Sequence, residues 1–148
     1  MRYLSLARLL LAAMLAINGA AMLATPEFWY AMTPGVMEIG PHNLHFVRDI
    51  GCAYLVSGAG LFWLWRNPHA WPAAIAGGAF LALHALVHVG EMLAGGFDPH
   101  HAWRDLPGVF PVPVLAFLLA WPCQRTLHTL PKEDAHAEMD RTAPARRL

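Results

Sequence analysis

His45 and Asp49 stand four residues apart, and His84, His88 and Glu91 stand at i, i+4 and i+7. On a helix each set shares one face, with about 6 Å along the axis between residues four apart. Imidazole and carboxylate are ligands for transition metals, and helix bundles present them at these spacings. Three chemistries fit. A transition metal could be held by His45, Asp49, His84, His88 and Glu91 together. A b-type haem could draw axial imidazoles from two helices, with His45, His84 and His88 as the candidates. Without a cofactor, imidazoles that titrate near neutral pH could relay protons.

Four more residues would modulate such a site. His42 precedes His45 by three positions, and His100 and His101 could cover the cluster from a loop. Arg48 has the opposite effect if it points inward, because a guanidinium repels a cation and favours an anion or a quinone-like carbonyl. If it points outward it can reach lipid phosphate. Each residue also has a plainer reading. A histidine at a membrane interface sits in water, Asp49 could pair with Arg48 or favour a helix start, and Glu91 could mark a helix end.

The elements that would position these groups follow from composition. Of 148 residues, 57% are hydrophobic and 14% charged, against about 25% charged in a soluble domain; mean hydropathy is +0.39. A spanning helix needs about 20 mostly apolar residues, and four stretches approach that: 4–24, 46–65, 70–92 and 106–123. The last is the weakest, with Pro107, Pro111, Pro113 and Pro122; Pro113 is expected to kink the helix or delay its start. A tight Pro turn at 67–72 makes the second and third stretches antiparallel neighbours. A longer first loop, 25–43, carries Phe28, Trp29 and Tyr30 as an interfacial anchor. The reading is an all-α, polytopic membrane four-helix bundle over 1–125, followed by a polar cytoplasmic tail over 126–148.

Charge gives the direction. With four spans, one side holds Arg2, Arg8, Arg66, Arg125, Lys132, Arg141, Arg146 and Arg147, and the other only Arg48 and Arg104. The positive-inside rule puts both termini in the cytoplasm and the histidine cluster toward the outer face of a bacterial inner membrane. A cleaved signal peptide at the N-terminus is the rival for the first stretch, and it keeps the same orientation. Net charge is zero, which provides no basic field for nucleic acid. Cys52 and Cys123 form no metal or disulfide framework; both read as small apolar packers at opposite leaflets, unable to bond to each other. The methionines form no MxxM or MxM cluster and read as packing residues. Asn18, Ser57 and Tyr54 read as interhelical hydrogen-bonding groups.

HFVRDIGCAYLVSGAGLFW (45–63), a short Pro turn and a span ending HALVHVGE (84–91) together resemble small bacterial four-helix membrane proteins of the DoxX-like kind. That resemblance implies four spans and a bacterial membrane. Some such proteins are associated with thiosulfate–quinone chemistry, but no motif here carries a catalytic residue across. The leading expectation is an outward-facing metal or haem site for redox or metal handling. The alternatives are a non-enzymatic subunit or scaffold whose polar cluster is structural or relays protons, and a small oligomeric transporter. Partners would be the bilayer and a membrane protein or a second copy of the chain.

Overall fold

The computed structural model describes residues 2–34, 36–39, 42–95, 103 and 107–121. These form α1 (Arg2–Ala24), α2 (Pro26–Met32), α3 (Val36–Ile39), α4 (Leu44–Arg66), a 3-10 turn (Pro68–Ala70), α5 (Trp71–Ala94) and α6 (Pro111–Ala120), and no strand occurs among the described residues. The protein is all-α, as expected.

Local sequence explains the boundaries. Asn43 caps α4: its side-chain oxygen accepts from the Phe46 N–H at 3.1 Å, a contact worth about 1 kcal/mol in typical caps. Asn67 ends α4 and starts the next turn by accepting from the His69 N–H at 3.0 Å. Pro72, in the first turn of α5, has no N–H to leave unpaired there. The expected tight turn is therefore present. The first loop holds a short helix: Thr25–Pro26–Glu27 starts α2, with Pro in the first turn and an acidic residue at the positive helix end. Seven residues are too few for that helix to be visible as a period. At the other end, the helical turn at 107–109 breaks at Phe110, and α6 begins at Pro111 with Pro113 in its first turn.

That break shortens the fourth apolar stretch. Pro107–Ala120 spans 14 residues, about 21 Å at 1.5 Å per residue, against about 30 Å of bilayer core. Among the described residues, two helices, α1 and Pro68–Ala94, are long and apolar enough to cross a membrane. α4 matches them in length at 23 residues, but Arg48, Asp49 and Arg66 weaken its apolar character. The polar tail, 126–148, lies outside the described residues.

Small residues set the packing. α1 and α4 are antiparallel and touch backbone to backbone: a Cβ on Gly19 would lie 2.6 Å from the Gly51 carbonyl oxygen, and one on Gly58 would lie 2.9 Å from the Ala12 carbonyl oxygen. α5 runs back along α4 with equal closeness, since a Cβ on Gly77 would meet the Ser57 Cα at 2.8 Å and one on Gly60 the Ala73 carbonyl oxygen at 2.7 Å. The buried Ser57 hydroxyl lies 2.8 Å from the Ala53 carbonyl oxygen and 3.2 Å from that of Gly77, and donates its one hydrogen between them. α6 packs on α5 and meets α1 over a much smaller area. The α1/α6 meeting includes a bond from Arg8 Nε to the Leu119 carbonyl oxygen at 2.8 Å. Leu11, Leu15, Leu61, Leu64, Ala74, Ala116 and Ala120 form the common core.

Candidate functional site

The sequence brings five candidate ligands to two neighbouring helices. The structure gathers four of them into two pairs, His45 with Asp49 and His84 with His88. On α4, one turn beyond the Asn43 cap, His45 Nε2 lies 3.4 Å from Asp49 Oδ2, and the two side chains are 88% and 59% exposed. An exposed i, i+4 pair of this kind contributes at most about 0.5 kcal/mol, and only with the imidazole protonated. Asp49 thus pairs with His45, while Asn43, not Asp49, caps the helix. Arg48 is exposed.

The second pair sits on α5. His84 is half-buried. Its ring meets the Tyr54 ring edge-on at 6.2 Å, lies nearly parallel to Phe80 at 6.2 Å, and meets His88 edge-on at 5.0 Å. Tyr54 in turn packs edge-on against Phe80 at 5.9 Å. The result is a continuous aromatic cluster that joins Tyr54 of α4 to Phe80, His84 and His88 of α5. Glu91, one turn beyond His88, is exposed. His88 makes a further contact beyond its ring contact with His84.

No group of three or more His, Cys, Asp or Glu side chains among the described residues could hold a metal ion. His84 and His88 offer two nitrogens, fewer than the three or four protein ligands of a zinc-type site. His45 is not brought to them, so the three candidate haem ligands do not share one place either. The cause is helix rotation. Gly51 and Gly58 turn one face of α4 to α1, and Ser57 and Gly60 turn another to α5, which leaves His45 and Asp49 on the third. His100 and His101 lie outside the described residues.

His42 lies before α4, exposed, with its ring 4.3 Å from that of Tyr30. Beside it, Trp29 Nε1 donates to Asn18 Oδ1 at 2.9 Å, and Asn18 Nδ2 approaches Met22 Sδ at 3.8 Å. The aromatic cluster of the first loop is therefore tied back onto α1 as well as being apolar. Spacing alone could not reveal this, because the partners lie on different helices. Cys52 is exposed, which corrects its reading as a packed residue; Cys123 lies outside the described residues. An open apolar groove of about 570 Å³ runs between α4 and α5, floored by Ser57, Gly60 and Gly77 and bordered by Val56, Ala59 and Trp63 of α4.

The chemistry of this arrangement is limited in kind: a solvent-accessible His–Asp pair, and a half-buried pair of imidazoles packed on aromatic rings. No family model matches the chain, and no curated protein or solved structure matches it.

Proposed function

We propose that the protein is a multi-pass membrane protein of a bacterial inner membrane, acting as a non-enzymatic subunit or scaffold whose buried polar contacts fix helix register. One observation carries this reading: the molecule is apolar on the outside, with small residues where its helices meet. Ile17, Val56, Leu83, Leu86, Val87, Val114 and Leu118 are largely exposed, while Ala12, Ala74, Ala116, Ala120 and Ser57 are buried. Soluble proteins seldom expose contiguous apolar surface on this scale. Membrane helices do, and they use small residues to bring backbones together. α1, α4 and α5 would cross. The likeness of 45–63 and 84–91 to DoxX-like proteins fits the same setting. Fractionation of expressing cells tests the membrane reading: the chain should pellet with membranes, resist alkaline carbonate and need detergent for release. Recovery in the soluble fraction overturns it. The scaffold role is tested by His84→Gln, which should leave cellular activity intact while lowering thermal stability.

The contact between His84 and His88 supports a second reading, in which this pair contributes to a metal, haem or proton-relay site. Elemental analysis and an absorption spectrum of detergent-purified protein test the first two, before and after metal titration. A wild type that carries neither metal nor haem, and gains none, removes both.

A further inference from the structure

Among the described residues, α1 and α5 pack along two faces of α4, and α2 touches it as well. Gly51 and Gly58 lie against α1, and Ser57 and Gly60 against α5. The third face carries His45, Asp49, Cys52, Val56, Ala59 and Trp63, all exposed. Their spacing is four, three, four, three, four, the interval of a helix–helix seam. The outward faces of α1 and α5 at the same depth differ in chemistry: Ile17 and Leu83 are exposed aliphatics of the kind lipid favours. An aspartate and an arginine are expensive against lipid, by about 2.5–3.5 kcal/mol at the centre of a span. Asp49 lies five residues into α4, about 7.5 Å along its axis.

We propose that this third face of α4 is the interface of a parallel homodimer, in which Arg48 of each copy pairs with the Asp49 of the other. The inference rests on the membrane reading above. Successive residues on a helix are about 100° apart, so Arg48 and Asp49 flank the line through Cys52 on opposite sides. A twofold axis along the membrane normal sets each flank of one helix beside the opposite flank of its partner. It therefore forms the Arg48–Asp49 pair twice. Arg48 has no ion-pair partner among the described residues of its own chain, and the His45–Asp49 contact leaves the carboxylate more than half exposed. Cys52 and Ala59, seven residues apart in the middle of the seam, are small enough for the helices to approach at about 8–10 Å. A second copy is favoured over a lipid tail because the flanking charges are complementary to themselves under this symmetry.

Cys52 is a native reporter. Membranes containing the full chain are treated with copper–phenanthroline, which takes two electrons, with release of two protons, as two thiols join. Wild type and Cys123→Ser should give a non-reducing band at twice the 16.3 kDa chain mass, and Cys52→Ser should give none. Ile17→Cys and Leu83→Cys, each made without the native cysteines, are depth-matched controls: Gly19 faces Gly51 and Gly77 faces Ser57, so both lie level with 51–53. They should not cross-link. Arg48→Asp and Asp49→Arg should each lower the Cys52 yield several-fold, and the two together should restore it. No Cys52 band in membranes, equal bands from the controls, or no restoration by the double exchange would overturn the dimer. Failure of the membrane reading would be seen separately, as chain in the soluble fraction.

Discussion

A Cβ placed on Gly19 would stand 2.6 Å from the carbonyl oxygen of Gly51, so α1 and α4 meet with no side chain between them. The obstruction is backbone and cannot yield by changing rotamer. Gly19→Ala should therefore lower stability by roughly 1–3 kcal/mol, even though alanine favours a helix by about 1 kcal/mol. Gly90 on α5 has nothing within 4 Å of such a Cβ. Gly90→Ala should leave stability unchanged or raise it by up to about 1 kcal/mol. Thermal unfolding of detergent-purified protein, followed by circular dichroism, reads both signs.

The Trp29 indole donates to Asn18 across α2 and α1. Trp29→Phe should cost about 1 kcal/mol, and Asn18→Ala a similar amount. Made together they should cost less than the sum, because they remove one shared bond. Strict additivity in that cycle would mean the bond contributes nothing to folding.

Arg8 is partly buried and donates to the Leu119 carbonyl in the last turn of α6, where the helix dipole favours a cation. Arg8→Met keeps most of the apolar stem and removes the charge. It should destabilise by about 1.5–3 kcal/mol and speed hydrogen exchange of the amides of 116–120, with little change in α4. Unaltered exchange there would show that α6 is held by its apolar contacts alone.

His84 separates packing from chemistry. Its ring lies against Tyr54, Phe80 and His88, and such aromatic contacts contribute about 0.5–1.5 kcal/mol beyond area. His84→Phe should retain stability and His84→Ala should lose it. If His84→Phe also preserves cellular function, the imidazole nitrogens are not used; if function disappears while the fold stays, they are.

The long helices could be read from sequence because their signals are local. Asn43 and Asn67 cap, Pro72 starts a helix, and apolar runs of about 20 residues need no knowledge of neighbours. The short α2 could not be read as a period, although Thr25, Pro26 and Glu27 mark its start. The break at Phe110 has a local signal too, since Pro111 and Pro113 restrict the residues before them. The candidate site was only half legible. Spacing put His45 with Asp49 and His84 with His88, and both pairs are in contact. Their convergence depended on the rotation of α4 about its axis, which is fixed by glycines on other turns. The heptad spacing of Gly51 and Gly58, with Ser57 and Gly60, was the available signal for that rotation, and it directs His45 and Asp49 outward.

The turn Pro68–Ala70 has a consequence for biosynthesis. α4, with its charges, would partition into lipid poorly if it left the translocon alone. Four residues, Asn67 to Ala70, tie it to the more apolar α5, and the Ser57 hydroxyl already has an acceptor in Gly77 across the hairpin. On the membrane reading proposed above, the two helices would enter the bilayer as one unit. α4's membrane residence would then be conferred by its successor in the chain, and lengthening this turn should increase the fraction of chains in which α4 fails to insert.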